Sequence, residues 1–254
     1  MVLDLNPSVS ASYHGGTQIA RVLSEHWIAR NMYCPRCGNG SVSQFTNNRP
    51  VADFFCPNCN SQYELKSKQG PLDKKVLDGA YGTMIQRILS GDNPDFFFMN
   101  YSKKSMTVLD LVFVPKHFFV PEIIEKRKPL PKKARRAGWV GCNILMNQIP
   151  LQGRVYIVKN GSVQPQSIVM DQVKKGDSLI NPNIQSRSWI FDILNYVNCM
   201  PVTFSLQDMY AFEPMLAQKH PQNQNIRPKI RQQLQFLRDK GFIDFIGRGK
   251  YKRL

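Results

Sequence analysis

Two Cys-x-x-Cys pairs constrain the fold of this chain more than any other feature. Cys34 and Cys37 form the first pair, Cys56 and Cys59 form the second, and eighteen residues separate the two pairs. Each pair lies in a tight turn that places two thiolates on one side, and two such turns complete a tetrahedral Zn²⁺ site. Because four protein ligands leave no open coordination position, the spacing predicts a structural zinc; a redox-active dithiol is the alternative.

The second cysteine pair lies in the turn of a predicted hairpin that also carries charged residues. Asp53 ends a short apolar run before the turn, and Glu64 and Lys66 follow the turn two residues apart. Residues i and i+2 of a strand share a face, so Glu64 and Lys66 should point the same way while Leu65 points into a core. If the two runs pair, Asp53 falls beside Glu64. Two carboxylates and an ammonium would then form a site for a hard divalent cation such as Mg²⁺.

The formal net charge of +16 indicates a polyanionic partner. Lysines and arginines that neutralise phosphates release condensed counterions, so this excess suits nucleic acid. A basic ribosomal or membrane-surface protein is the alternative, but the basic residues are interleaved with aromatic ones and form no tail. We find no run long enough to span a membrane and no signal-peptide pattern in Met1 to Pro7, so we expect a cytoplasmic protein with reduced thiols.

Apolar spacing predicts an α/β arrangement in the first part of the chain. Two helices are expected, from Gly16 to Asn31 and from Lys74 to Leu89. The runs 95–101 and 108–114 are predicted to be buried strands of a sheet against which the helices pack. Glu25 lies in the first helix, where we interpret it as a solvated surface residue rather than a member of the charged site.

The segment from Lys126 to Gly141 differs from its surroundings. Prolines disfavour regular structure in its first half, and seven basic residues precede Trp139. A solvated charged loop with its tryptophan in the core is one interpretation. A DNA-contacting loop is the other: Arg135 and Arg136 would bind phosphates, and Trp139 would stack on a base, wedge beside it or sense it.

A change in composition near residue 182 predicts a domain boundary, with one domain at 1–182 and a second at 183–254. Helices are expected after a cap at Ser186 or Ser188, after Ser205, and from Ile226 to Lys240, followed by a two-stranded wing. Three helices and a wing form a winged helix, whose third helix usually enters the major groove of DNA, although such domains also bind proteins. The residues expected to contact DNA here are Lys229, Arg231, Gln232 and Gln235 on the third helix and Arg248 and Lys250 on the wing.

Several of these residues carry a resemblance to a known family. Pro50-x-x-Asp53 followed by Glu64-x-Lys66 resembles the PD-(D/E)XK nuclease motif. Longer runs are similar to the DpnI-like family of methyl-directed restriction endonucleases, nearly from end to end of the chain: Asn47 to Phe54, Glu64 to Lys68, Ala134 to Trp139 and Ile230 to Leu234.

The resemblance implies a fold and an activity. The fold would be α/β, a PD-(D/E)XK nuclease core with an inserted four-cysteine zinc site, followed by a C-terminal winged helix. The activity would be that of a type II site-specific deoxyribonuclease, which makes double-strand cuts at adenine-methylated GATC by Mg²⁺-dependent hydrolysis. Asp53, Glu64 and the Leu65 carbonyl would hold Mg²⁺. Lys66 would orient or deprotonate the attacking water and stabilise the charge that develops on the phosphate. The partner would be double-stranded DNA carrying N6-methyladenine, bound by a monomer in a prokaryotic cytoplasm.

Two other classes of protein stay open at this point. A zinc-containing winged-helix regulator with an inactive nuclease core would bind DNA without cutting it, and the intact set of Asp53, Glu64 and Lys66 argues against it. A repair or junction nuclease would keep the activity and change the substrate, but such enzymes usually lack an appended sequence-reading winged helix.

Overall fold

The computed structural model describes residues 1–46, 52–72 and 74–254. Pro50, the first residue of the nuclease-like motif, lies outside these ranges. The chain divides into two compact units, Met1–Asp177 and Ser178–Leu254. No helix in the described ranges is long and apolar enough to cross a membrane.

The first unit contains three α-helices among its described residues, α1 Gly16–Asn31, α2 Tyr81–Ser90 and α3 Gln166–Asp177. Its strands are β1 Ser43–Gln44, β2 Phe54–Phe55, β3 Gln62–Lys68, β4 Lys75–Ala80, β5 Asp95–Ser102, β6 Thr107–Val114, β7 Ile124–Lys126, β8 Gly141–Leu145, β9 Val155–Lys159 and β10 Ser162–Val163. Short 3-10 helices occur at Pro7–Ser10, Lys116–Phe118, Pro121–Ile123, Met146–Gln148 and Leu151–Gly153.

These strands form two sheets. In the described part of the chain, the larger sheet has seven strands in the order β1-β2-β3-β5-β6-β9-β10, and the smaller has three in the order β4-β8-β7. β3 and β5 are parallel, with Leu65 opposite Phe97. The aromatic run of β5 is buried on both faces, which explains why it is continuous rather than alternating. α1 contributes Trp27 and Ile28 to the core.

The sequence predictions for α1, β5 and β6 are confirmed, but the helix predicted from Lys74 to Leu89 is wrong in its first half. That half forms β4, which pairs antiparallel with β8, and α2 begins after it. Val76 and Ala80 are four residues apart, a spacing that fits both a helix and one face of a strand. In the strand, Asp78 lies on the same face as Val76, and a register shift separates it from Ala80. α3 was not predicted at all.

The second unit is a winged helix, as predicted. Its helices are α4 Ile184–Cys199, α5 Leu206–Tyr210, α6 Glu213–Lys219 and α7 Ile226–Asp239, and its strands are β11 Thr203–Ser205, β12 Ile243–Gly247 and β13 Lys250–Arg253. β11 joins the two predicted wing strands in a sheet of order β11-β13-β12. The apolar face of α7 is buried through Ile226, Ile230, Leu234 and Leu237.

The ends of these helices follow ordinary capping chemistry. α7 is followed by Gly241, whose φ of 71° is in the left-handed region that glycine enters freely. The prediction that Ser186 or Ser188 caps α4 is wrong. The side chain of Asn183 accepts from the N–H of Ser186 instead, because an asparagine three residues ahead of a helical N–H makes the same bond as a serine. Ser188 is buried inside the helix packing.

Candidate functional site

A short hairpin positions Asp53 beside the strand of Glu64 and Lys66. β2 pairs antiparallel with β3, and Asp53 directly precedes β2. The N–H of Asp53 donates to the Tyr63 carbonyl at 2.9 Å, and Oδ2 of Asp53 accepts from the N–H of Leu65 at 2.8 Å. The Asp53 carboxylate is therefore fixed next to the backbone between Glu64 and Lys66. The Leu65 side chain packs against the core, as expected from strand alternation.

Lys66 contacts two carboxylates. Its Nζ lies 2.5 Å from Oε1 of Glu64 and 2.5 Å from Oδ1 of Asp78. The exposed fraction is 21% for the side chains of both Lys66 and Glu64 and 6% for that of Asp78, so the ion pairs are largely shielded from water. Sequence reasoning missed Asp78 because it lies in the stretch predicted to be helical, and the spacing of Val76 and Ala80 fits a helix as well as a strand.

The electrostatics of this cluster favour a charged lysine. Burial raises the pKa of Glu64, the Lys66 ammonium lowers it, and the Asp78 and Asp53 carboxylates raise it again, with a net upward shift. Burial lowers the pKa of Lys66, but Glu64 and Asp78 raise it by more, so the net shift is also upward. Lys66 is therefore an ammonium that donates hydrogen bonds rather than a free amine that accepts protons.

Glu25 differs from its expected state. Its side chain is only 13% exposed, and it forms an ion pair with Arg21 at 2.6 Å. Gln44 donates a second hydrogen bond to it at 3.0 Å. The interpretation as a solvated surface residue is therefore wrong, because α1 and β1 bring two donors to the carboxylate.

The four cysteines of the two Cys-x-x-Cys turns converge. Their Sγ atoms all lie within 4.8 Å of one another. The Sγ atoms of Cys34 and Cys59 are 3.6 Å apart, and so are those of Cys37 and Cys56. Tetrahedral coordination with Zn–S bonds of about 2.3 Å requires sulfur atoms about 3.8 Å apart. The four thiols therefore fit a zinc ion and could hold one.

The two cysteine turns have the same backbone design. In the first, the N–H of Gly38 donates to the Cys34 carbonyl, and in the second, the N–H of Asn60 donates to the Cys56 carbonyl, both at 2.9 Å. Gly38 and Asn60 both have positive φ, 78° and 58°, which asparagine tolerates better than most residues. A repeated turn of this shape aims both thiols of each pair at a common centre.

Ionisation differs among these thiols. Burial raises the pKa of Cys34 to about 12. Burial also opposes ionisation of Cys37, but hydrogen bonds led by the Asn58 amide outweigh it and lower that pKa to about 6. A divalent cation would supply the charge that holds the buried Cys34 as a thiolate, so binding releases protons.

Arg36 connects the first cysteine turn to the rest of the unit. Its guanidinium donates to both oxygens of Asp95, at 2.5 and 2.7 Å, and to Asp177 at 3.1 Å. Asp95 begins β5 and Asp177 ends α3. A bidentate arginine–carboxylate pair fixes orientation as well as distance. Arg36 therefore orients the first cysteine turn relative to β5 and α3.

The basic segment predicted to contact DNA connects β7 to β8. Two backbone hydrogen bonds join the ends of the loop formed by residues 130–139. The N–H of Leu130 donates to the Trp139 carbonyl, and the N–H of Gly138 donates to the Leu130 carbonyl. Arg136 lies over the Trp139 ring, with 4.8 Å between the guanidinium carbon and the ring centroid. The indole is half-buried and covers Gly141, where an added Cβ would lie 2.8 Å from the ring. Arg135 and Arg136 are exposed.

The winged helix presents its predicted DNA-contacting side chains to solvent. Arg231, Gln232 and Gln235 are exposed on α7. Lys229 is partly exposed and donates to Gln232 at 2.7 Å. Arg248 and Lys250 are exposed at the connection of β12 and β13.

Comparison with known families gives two matches that together cover most of the chain. The model of the family described as "DpnI: Dam-replacing family" matches residues 1–182. A second model, described as "Dam-replacing HTH domain", matches residues 185–253. These matches support a DNA-binding restriction enzyme that acts on methylated DNA.

Proposed function

The chain belongs to the DpnI (Dam-replacing) family, and on that premise we propose that it is a type II restriction endonuclease that makes double-strand cuts at adenine-methylated GATC. We assign phosphodiester hydrolysis to residues 1–182 and a second DNA-reading surface to residues 183–254. One observation carries the proposal: the β2–β3 hairpin brings Asp53 next to the backbone between Glu64 and Lys66, and the Lys66 ammonium forms an ion pair with Glu64. We further propose that the enzyme acts as a monomer in a prokaryotic cytoplasm.

Oxygen donors of this hairpin suit a hard cation. Asp53 and Glu64 supply carboxylates, and the backbone of Leu65 runs between Glu64 and Lys66, so its carbonyl is the third proposed ligand. Burial opposes ionisation of Glu64, and a bound cation offsets that penalty. Mg²⁺ held there would lower the pKa of a water molecule and neutralise charge on the scissile phosphate.

Lys66 has a complementary role. As an ammonium it donates hydrogen bonds, and it orients the attacking water and stabilises the charge that develops on the phosphate. Deprotonation of the water by Lys66 as a general base fits less well, because both neighbouring carboxylates favour the protonated form of the lysine.

Discrimination of methylated adenine requires a surface that buries one methyl group. The N6-methyl of adenine projects into the major groove. Burying one carbon contributes only about 0.8 kcal/mol. A palindromic site has two methylated adenines, and reading both with two surfaces gives a larger preference for methylated over unmethylated DNA than reading one. We propose that Trp139 is the reading surface of the nuclease part, with Arg135 and Arg136 on phosphates.

The second surface comprises α7 and the wing. Bidentate hydrogen bonds suit Arg231 to guanine and Gln232 or Gln235 to adenine. Lys229, Arg248 and Lys250 would bind phosphates and fix the register.

The test is a digestion with added Mg²⁺. A plasmid with adenine-methylated GATC sites is compared with the same plasmid lacking the mark, using wild type, Asp53→Ala, and Glu122→Gln as a control that removes an exposed carboxylate outside the site. We expect discrete fragments from the methylated plasmid alone, lost in Asp53→Ala and retained in Glu122→Gln. Cleavage of both plasmids would reject methyl dependence. Tight binding without cleavage would favour a regulator with an inactive core.

A further inference from the structure

Asp78 is a buried carboxylate with a direct contact to the proposed catalytic lysine. It lies on β4, in the smaller sheet, whereas Lys66 lies on β3 in the larger one. Its Oδ1 is 2.5 Å from Nζ of Lys66, and its side chain is 6% exposed. An ion pair this well shielded is costly to leave with one partner missing.

The two carboxylates around Lys66 are not equivalent. Glu64 is a proposed ligand of Mg²⁺, so a bound cation and the Lys66 ammonium compete for the same oxygens. Asp78 is no part of the metal-ligand set proposed above, so a metal ion on Glu64 would leave the Asp78 carboxylate available to Lys66. Without Asp78, a metal ion on Glu64 would leave the Lys66 ammonium without either of its two carboxylate partners in a site that is shielded from water.

We infer that Asp78 is a positioning residue for the catalytic lysine: it holds the Lys66 ammonium in place while Mg²⁺ occupies the Glu64 carboxylate. The inference rests on the proposed nuclease function. Asp78 acts through Lys66 and does not touch the substrate itself. It fixes the direction from which the ammonium approaches the attacking water and the phosphate.

The strand that carries Asp78 also connects to the proposed DNA-contacting loop. β4 pairs with β8, where Asp78 is opposite Cys142, and β8 begins at the residue that ends this loop. The N–H of Tyr81, just after β4, donates to the Val140 carbonyl at 3.0 Å. The carboxylate partner of Lys66 therefore lies in the same small sheet whose strand β8 begins where this loop ends.

A double-mutant cycle tests the inference. Asp78→Asn is made in the wild type and in Lys66→Met, and single-turnover cleavage of a methylated GATC duplex is measured with Mg²⁺ and saturating enzyme. In the wild type, we expect Asp78→Asn to lower the rate roughly 10- to 100-fold because the lysine is misplaced, with DNA affinity in the absence of metal within about twofold. In Lys66→Met, we expect a loss of about twofold or less, since the residue through which Asp78 acts is gone.

The thermal stability of the same variants gives a second measurement that does not depend on cleavage. In the metal-free protein, each single substitution should lower Tm, and the double substitution should lower it by less than the sum, because both single substitutions remove the same Asp78–Lys66 contact, which the double substitution can remove only once. Glu125→Gln is the matched control. Glu125 lies on β7 of the same sheet and pairs with Lys75 and Asn143, so its substitution removes the same charge and should leave the cleavage rate unchanged.

The outcomes separate this inference from the proposed function. If the wild type cleaves and Asp78→Asn cleaves equally fast, the inference is wrong. It is also wrong if Asp78→Asn lowers the cleavage rate by the same factor in Lys66→Met as in the wild type. That second result would indicate that Asp78 is a metal ligand or a purely structural group. If the wild type cleaves nothing, the proposed function fails, and additive Tm shifts would also reject the Asp78–Lys66 coupling. Asp78→Glu replaces Asp78→Asn in the same cycle if Asp78→Asn does not bind DNA.

Discussion

The hydroxyl oxygen of Tyr63 lies 2.9 Å from Sγ of Cys34, and both side chains are fully buried. Tyr63 directly precedes Glu64 on β3, so a single hydrogen bond joins the cysteine cluster to the strand of the proposed active site. Burial raises the pKa of Tyr63, which keeps the phenol protonated and able to donate. A zinc-bound thiolate would accept that hydrogen bond, since hydrogen bonds from outer groups tune metal–thiolate bonds.

We predict that Tyr63→Phe weakens zinc binding about 10- to 100-fold because the Cys34 thiolate loses its donor. Zinc transfer to a chromogenic chelator measures this. Tyr33→Phe is the control: its hydroxyl is buried without a hydrogen-bond partner among the described residues, and it neighbours Cys34 in sequence. Equal zinc release from the two variants would contradict the prediction.

Trp139→Ala is predicted to reduce the preference for methylated over unmethylated GATC. If the indole buries one methyl group, its loss changes the cleavage ratio about fourfold per adenine, the equivalent of about 0.8 kcal/mol. Trp139→Phe, which keeps an aromatic face, should retain most of the preference. A uniform loss on both substrates would show that the residue supports the loop and does not sense the methyl group.

Arg248→Ala and Gln235→Ala should affect DNA binding differently. Loss of a phosphate contact at Arg248 should weaken binding to every duplex and reduce the slope of log K against log salt by about 0.9. Loss of Gln235 should weaken binding to the GATC duplex and leave the slope unchanged. Fluorescence anisotropy at several salt concentrations on a GATC duplex and an unrelated duplex measures both quantities. The same slope change in both variants would reject the assignment.

Asp208 should make the stability of the winged helix depend on pH. Hydrogen bonds from the N–H and hydroxyl of Ser205, at 2.7 and 2.8 Å, lower its pKa below the ordinary 3.8. A carboxyl with a lower pKa in the folded state stabilises the fold above its unfolded pKa, and this contribution is lost as pH falls through the folded pKa. Asp208→Asn should therefore lower Tm at neutral pH, and the difference from wild type should narrow as the pH falls below the ordinary pKa of 3.8 and through the lower pKa of the folded state. A constant difference would contradict this.

The parts of the fold that the sequence predicted well are those set by short-range patterns. The apolar residues of α1 recur at helical spacing over sixteen residues, the aromatic run of β5 is continuous, and each cysteine turn spans only a few residues. The hairpin that brings Asp53 to β3 is also local. Each of these depends on neighbours along the chain, so the residues themselves carry the signal.

Long-range pairing was what the sequence concealed. β4 exists because β8, more than sixty residues later, supplies its partner, and the spacing of Val76 and Ala80 fits a helix equally well. Asp78 therefore lies at the site because β4 pairs with β8, and the spacing of residues near Asp78 does not predict that pairing. The mistaken view of Glu25 has the same cause: Gln44, one of its two donors, comes from a different element.

The arginine of the first cysteine turn also has a consequence for biosynthesis. Arg36 and Asp177 are 141 positions apart, so the carboxylate of α3 leaves the ribosome long after the turn that it neutralises. Until then, Asp95 is the carboxylate partner that the described residues offer the guanidinium. A nascent chain that stops short of α3 thus lacks one of the two carboxylates that orient the first cysteine turn, so we expect this turn to reach its final packing only after α3 has been synthesised.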